Sequence, residues 1–295
     1  MRTWLARLAD SLDRRTPLVL TLLVLLLRPP AADALRVATW AAAAAPLVVP
    51  ALLERAGLWF VLALLVAARI VVDWPMADNH IYLLAYWCLA VGLALRADEP
   101  TETMARSARW LVGLTFLFAV LWKAVLAPEY LDGRFFRVTL LTDDRFTWLA
   151  TSAGGLTEEQ LEGNQQALAP APEGSEILNG PTLTLTPAFE RLAAALTWGG
   201  VIFEATLAAI FLAPLSLRFR GWRVVLLCAF CLLTYALAPV AGFGWLLAVL
   251  GLAQCPRDRP LLRLAYIAAF MMIGLFGEAD IPGAVLSRGA TVGGS

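Results

Sequence analysis

Two side chains with acid–base chemistry each occur once in this 295-residue chain, both at the edge of an apolar segment. His80 is the only histidine, and it opens the run Asp-Asn-His-Ile-Tyr-Leu-Leu at residues 78–84. Lys123 is the only lysine, and the other basic residues are all arginine. Arginine stays protonated in proteins, whereas a lysine in a dry site can give up its proton. The pattern indicates that Lys123 serves as a catalytic base and His80 as a hydrogen-bonding partner for a substrate oxygen.

Each residue also has a structural alternative. Lys123 can extend its ammonium group to the membrane interface from a helix end. His80 falls in the first turn of a helix that Asp78 or Asn79 would cap, where a neutral histidine can simply satisfy local hydrogen bonds.

Glu204 is the third candidate, because it lies near the middle of the apolar segment 189–213. A carboxylate in that position needs a partner. Arg69, Lys123 or an arginine at a helix end would serve, and the sequence does not choose among them. Glu204, Tyr82 and Trp122 are the candidates for binding a cofactor. Aromatic residues that would line a pocket for a ring, or form belts at the membrane interface, are Tyr82, Trp87, Trp122 and Tyr130.

The composition places these residues in a membrane protein. Apolar residues make up 60% of the chain and mean hydropathy is +0.72, far above an ordinary soluble domain. We expect an all-α polytopic integral membrane protein with about eight or nine transmembrane helices. Pro46, Pro75 and Pro239 are the expected breaks between or within helices. The apolar segments are 16–27, 34–53, 57–72, 80–96, 107–127, 189–213, 222–238, 240–254 and 261–277.

Charge asymmetry predicts the orientation. Arginines cluster at 218–223 and 257–263, whereas 73–79 contains acids and no base. Because basic loops mark the cytoplasmic side, the amino terminus is expected inside and residues 128–188 outside the plasma (inner) membrane. His80 and Lys123 then belong to the same, outer leaflet.

Two terminal segments and one central segment are expected outside the membrane core. Residues 1–15 have the pattern of an interfacial amphipathic helix. The run that follows them is also compatible with a cleaved signal sequence, although a short first span is the preferred interpretation. Membrane helices are expected at 16–127 and 189–278, and a flexible tail at 279–295.

The central segment, 128–188, is predicted to be an exoplasmic loop. A capped helix is expected to begin at Thr157, and residues 170–187 are expected to be irregular or strand-like, because the alternation Thr-Leu-Thr-Leu-Thr at 182–186 is typical of a strand. Cys228 and Cys231 would share a helix face, where packing is the expected role rather than a metal or redox site.

Three motifs in this order resemble the HTTM (horizontally transferred transmembrane) family, which includes the vitamin K-dependent gamma-carboxylase. The first is the run at 78–84, the second is Phe-Ala-Val-Leu-Trp-Lys at 118–123 followed by Glu-Tyr-Leu-Asp-Gly at 129–133, and the third is Trp-Gly-Gly-Val-Ile-Phe-Glu at 198–204. The later histidine usual in the family has no counterpart at 229–232.

The resemblance implies a helical membrane domain with an exoplasmic site, in which Lys123 is the base that starts oxidation of a reduced quinone and His80 assists. The chain is therefore expected to be a carboxylase-like lyase or oxidoreductase that acts with a quinone-like lipid and no metal. Its expected partners are membrane lipids and an exported protein or peptide substrate, with no nucleic acid. A non-catalytic membrane subunit and a small-molecule transporter remain the alternatives.

Overall fold

The computed structural model describes residues 15–169, 180, 182–214, 220–237, 241–256 and 259–277. Within these residues the regular structure is entirely helical, which confirms the all-α class. The helices are α1 (Thr16–Leu27), α2 (Asp33–Val48), α3 (Ala56–Val72), α4 (Asn79–Ala94), α5 (Pro100–Val125), α6 (Pro128–Leu131), α7 (Arg134–Thr142), α8 (Thr147–Ser152), α9 (Glu158–Leu168), α10 (Pro187–Leu212), α11 (Arg220–Leu237), α12 (Ala241–Gln254) and α13 (Pro260–Gly277), with 3₁₀ turns at Pro50–Glu54 and Asp144–Phe146.

Each predicted apolar segment corresponds to one helix, from α1 to α5 and from α10 to α13. Among the described residues, two of these helices, α5 and α10, are long and apolar enough to cross a membrane. The other apolar helices are shorter. Pro46 lies inside α2, which ends two residues later, so the segment 34–53 divides into an α-helix and a 3₁₀ turn. Pro75 falls between α3 and α4, and Pro239 and residues 1–14 lie outside the described residues.

The described chain divides into two compact units. The first runs up to Thr115 and resumes at Leu207, and the second is Phe116–Thr206. Both long helices contribute to both units, so the second unit contains the end of α5, all of α6 to α9 and most of α10.

Buried aromatic side chains fill the interior of the first unit and fix how its helices pack. The indole of Trp87 donates to the Thr21 hydroxyl at 2.9 Å, and the indole of Trp245 donates to the Phe270 carbonyl at 2.9 Å. The Tyr266 hydroxyl donates to the Val224 carbonyl at 2.5 Å. A buried polar group requires a partner of this kind, so these bonds specify the neighbour of each ring.

The ends of four helices meet at one end of the first unit. The guanidinium of Arg28, just after α1, lies 5.9 Å above the ring of Trp245, near the start of α12. Arg69, near the end of α3, donates to the Arg28 carbonyl at 2.7 Å, and His80, at the start of α4, packs on Gly242. These contacts bring the carboxyl ends of α1 and α3 together with the amino ends of α4 and α12.

The second unit is held by local caps and by one buried amide. Thr157 caps α9 as predicted, since its hydroxyl accepts from the Gln160 N–H at 3.2 Å and the Gln160 side chain accepts from the Thr157 N–H at 3.0 Å. Residues 182–186 form no strand and have no regular secondary structure, so of the two expected states the irregular one is observed. The buried Asn164 side chain pairs instead with the N–H and carbonyl of Thr184, at 2.7 and 2.9 Å.

Candidate functional site

Lys123 and Glu204 form an ion pair that joins α5 to α10. The Lys123 ammonium lies 2.6 Å from Oε1 and 2.5 Å from Oε2 of Glu204, across 81 residues of sequence. Their side chains are only 14% and 15% exposed. Of the three partners that the sequence allowed for Glu204, the structure selects Lys123. Arg69 instead pairs with Asp73 in the first unit.

The local structure explains where the two charges lie. Lys123 is in the last turn of α5, where the negative end of the helix dipole favours a cation. Glu204 lies well inside α10, among apolar neighbours. Since a carboxylate buried there is costly without a counter-ion, the pair is a constraint on how the two helices meet.

Tyr130 completes the site from the short helix α6, which Pro128 begins. The Lys123 ammonium lies 4.6 Å from the centroid of the Tyr130 ring, within range of a cation–π interaction. The ring stacks on Phe135 at 5.1 Å and meets the edge of Phe136 at 5.7 Å. The turn into α7 that brings these rings back passes through Gly133, whose φ of 83° favours glycine.

The Tyr130 hydroxyl is held in its un-ionised form. Burial raises its pKa to about 12, and the negative charge of Glu204 adds to the effect. A Cβ atom on Gly200 would lie 3.4 Å from the hydroxyl oxygen, so the glycine leaves this side of the phenol open. The site therefore combines an ammonium, a carboxylate and a neutral phenol.

His80 lies in the first unit, in the first turn of α4, as predicted. Its helix starts after Asp78, although no side chain caps it. The His80 ring is 15% exposed, and its Nδ1 is 4.0 Å from the nearer carboxylate oxygen of Asp78. A Cβ atom on Gly242 would lie 2.4 Å from Nε2, so the ring packs directly on the α12 backbone.

The other aromatic candidates do not converge on one place. Tyr82 lines an open apolar groove of about 540 Å³ between α3 and α4, in the first unit. Trp87 is buried in the core of that unit, and Trp122 is 54% exposed on α5 beside Lys123. Among the candidates from sequence, the structure thus brings Lys123, Glu204 and Tyr130 together.

The four cysteines, including Cys228 and Cys231 on α11, are buried and form no disulfide. Within the described part of the chain, no group of three or more His, Cys, Asp or Glu residues could hold a metal ion.

The arrangement at Lys123 can move a proton without creating net charge. Transfer from the ammonium to the carboxylate converts an ion pair into a neutral amine and a neutral acid. Both states have the same total charge, so the low-dielectric surroundings do not oppose the exchange as they would oppose an isolated ion. In that neutral state the amine can act as a base, and the neighbouring carboxylic acid holds the proton that the ammonium has given up.

No family model, no curated protein and no solved structure matches this chain.

Proposed function

We propose that the chain is a polytopic integral membrane protein, with its long apolar helices as spans, and that it is an enzyme of the HTTM type. In this proposal Lys123 is the base that acts on a quinone or similar lipid-like cofactor near the outer leaflet. The observation that carries it is the buried Lys123–Glu204 pair between the two helices that are long enough to span a membrane. Ionisable groups in such helices usually have a functional role.

The residues around the pair suit a ring-bearing hydroxyl compound. Phe118 and Trp122 on α5 and Trp198 on α10 present exposed apolar surface on the same unit as the pair. An aromatic ring that reaches the site through lipid would contact surface of this kind. A reduced quinone, when bound, supplies a weakly acidic ring hydroxyl that becomes oxidisable once its proton has left.

The protein's own contribution is to create and restore the base. With a ring hydroxyl bound beside the pair, Glu204 would take a proton from Lys123, and the neutral Lys123 amine would then be able to accept the hydroxyl proton. Lys123 ends as an ammonium, stabilised by the face of the Tyr130 ring. Glu204 returns its proton to solvent, which regenerates the ion pair. His80 is the second candidate for a hydrogen bond to an oxygen of the bound compound, and the motif at 78–84 supports that role.

The test is oxidation of a reduced naphthoquinone by dissolved oxygen in the presence of the purified protein in lipid nanodiscs, followed by absorbance above the spontaneous rate. We expect Lys123→Ala to abolish the activity and Glu204→Gln to reduce it at least tenfold, because Gln cannot store the proton. Arg137→Gln is the matched control, since it breaks a more exposed ion pair with Glu190 in the same unit. His80→Ala measures the second candidate separately.

A transporter is the second candidate function, favoured by the same placement of a Lys–Glu pair between the two candidate spans. It predicts proton movement into liposomes that Glu204→Gln abolishes, with no quinone oxidation. If Lys123→Ala, His80→Ala and Glu204→Gln all fold and change neither activity, both proposals fail and a non-catalytic membrane subunit remains.

A further inference from the structure

One buried hydrogen-bond donor of the second unit is not used within the described chain. Tyr130 is only 8% exposed, yet among the residues that the structure describes its hydroxyl has no hydrogen-bond partner. The contacts of the side chain run through the ring, which stacks on Phe135 and lies beneath the Lys123 ammonium. Buried polar groups are nearly always hydrogen-bonded in folded proteins, so an exception calls for an explanation. This hydroxyl is available to donate to a molecule that binds beside it.

Gly200 on α10 leaves space beside this hydroxyl. A Cβ atom on Gly200 would lie 3.4 Å from the Tyr130 oxygen, and nothing lies within 4 Å of a Cβ atom on Gly199. Gly199 is exposed and Gly200 is half-buried, so the space opens to the surroundings of the unit. Since Gly200 precedes Glu204 by one helical turn, the two residues share a face of α10. The Tyr130 hydroxyl therefore lies on the same side of α10 as the Lys123–Glu204 pair.

The surroundings of the hydroxyl define which ligand atom it can take. Burial and the nearby Glu204 carboxylate raise the pKa of Tyr130 to about 12, so the phenol keeps its proton at neutral pH and acts as a donor. The complementary group is an oxygen with a free lone pair, such as a carbonyl, a hydroxyl or an oxyanion. The stacked ring of Phe135 and the exposed Trp198 beside the two glycines favour a flat apolar ring. A ring compound with an oxygen substituent matches both features.

We propose that Tyr130 is a ligand-binding residue whose hydroxyl donates a hydrogen bond to an oxygen of the ring compound, with that oxygen over Gly200 and beside the Lys123–Glu204 pair. The assignment rests on the proposed function and deepens it, because it names the group that selects oxygen-bearing rings over hydrocarbons of the same shape. Carbonyl and hydroxyl oxygens both accept from a phenol, so the bond is available to the oxidised and reduced forms of a quinone. Binding can therefore be measured with the oxidised form, which is stable in air.

The experiment measures binding of a tritiated naphthoquinone with a prenyl tail to the full chain in lipid nanodiscs by scintillation proximity, with unlabelled compounds as competitors. We expect Tyr130→Phe to weaken quinone affinity roughly 3- to 10-fold, which is the value of one neutral hydrogen bond. The naphthalene hydrocarbon with the same tail has no oxygen, so its inhibition constant should be the same in both proteins. In infrared difference spectra, a carbonyl stretching band of isotope-labelled quinone should shift to lower frequency in the wild type and lose that shift in Tyr130→Phe.

Gly200→Ala tests the space rather than the donor. A methyl group there makes ordinary contact with the hydroxyl, so the Tyr130 ring can stay in place while the ligand oxygen is kept out. Quinone affinity should fall several-fold, whereas the unfolding temperature should not fall, since alanine favours a helix. If Tyr130→Phe does not fold, Gly200→Ala decides the matter alone. Gly163→Ala on α9, with open space at its Cβ, and Tyr86→Phe, in the groove of the first unit, are the matched controls and should leave quinone affinity unchanged.

Several results would overturn the assignment of Tyr130. Equal quinone affinity in the wild type and Tyr130→Phe, with no shifted carbonyl band, means that the hydroxyl bonds only to water. Equal weakening of the quinone and the hydrocarbon means that Tyr130 acts through packing alone, and a loss in Tyr86→Phe instead places the quinone in the groove of the first unit. These results leave the proposed function standing if Lys123→Ala still abolishes oxidation. A folded wild type that neither binds nor oxidises the naphthoquinone refutes the proposed function, and the role of Tyr130 with it.

Discussion

At the scale of single residues, removal of either Lys123 or Glu204 alone should cost more stability than removal of both. Lys123→Met leaves the Glu204 carboxylate buried without its cation, and we expect it to lower the free energy of unfolding by about 2–4 kcal/mol. The double variant Lys123→Met/Glu204→Met should recover most of that loss, because no buried charge remains. Denaturant unfolding in detergent gives the double-mutant cycle.

The control for this cycle is the pair formed by Arg137 and Glu190, whose side chains are 37% and 42% exposed. Solvent screens such a pair, so Arg137→Met should cost about 0.5 kcal/mol or less. If the losses of stability from Lys123→Met and Glu204→Met add up in the double variant, the two side chains do not interact, contrary to the structure.

Tyr130 makes a pH-dependent contribution whose sign follows from its raised pKa. The folded protein holds the phenol proton more tightly than the unfolded chain, whose tyrosine pKa is about 10. The stabilisation is therefore complete below pH 10 and is lost as pH rises through about 12. Stability should decline more between these pH values in the wild type than in Tyr130→Phe. Equal slopes would show that the phenol is not shielded as described.

The residues of the candidate site could be selected from the sequence, but their pairing could not. Lys123 and Glu204 stand out because each is an ionisable residue in an apolar segment. Their contact joins residues 81 apart in sequence, and helix periodicity carries no information about which helices become neighbours. Tyr130 meets Lys123 across the break between the end of α5 and the start of α6 at Pro128, so the sequence identified the aromatic residue without its partner.

At the scale of helices, contact between α12 and α13 depends on a glycine. A Cβ atom on Gly251 would lie 2.1 Å from the Tyr266 ring, which is fully buried and tied to Val224. Because the ring cannot retreat, Gly251→Ala should force the helices apart and cost about 1–3 kcal/mol. Thermal unfolding measures the change.

Gly199, on α10, provides the control for that substitution because nothing lies within 4 Å of its added Cβ. Gly199→Ala should be neutral or stabilising by up to about 1 kcal/mol, since alanine favours the helix. If the two alanine variants change stability in the same direction and by the same amount, Gly251 is not held against the Tyr266 ring as described.

Helix bounds were predictable because an apolar run must be helical to satisfy its backbone in an apolar environment. The capping box at Thr157 was predictable because both of its bonds are local. The choice between an irregular segment and a strand at 182–186 could not be made for the opposite reason. Alternating Thr and Leu is typical of a strand, but the backbone of Thr184 is bonded to the side chain of Asn164, which no periodic pattern reveals.

At the scale of the whole molecule, the division into units does not follow the predicted loop. The sequence separates 128–188 from its flanking helices by polarity, whereas the compact second unit extends from Phe116 to Thr206 and includes parts of both long helices. Polarity marks where water is expected, and compactness reflects which side chains touch. Polarity alone would separate Lys123 and Glu204 from α6 to α9, because both residues lie within apolar segments. Compactness places the pair in the same unit as those helices.

Orientation in the membrane is the property of the whole chain that a single labelling experiment can decide. The four native cysteines are buried, so a membrane-impermeant thiol reagent should label the wild type weakly. Glu162→Cys, on exposed α9, should react in intact cells, because the arginine distribution predicts that 128–188 lies outside. Glu102→Cys, at the exposed start of α5, makes the same charge change and should react only after permeabilisation. The reverse pattern would invert the topology and place Lys123 toward the inner leaflet. Labelling of both introduced cysteines in intact cells would mean that α5 does not cross the membrane between Glu102 and α9.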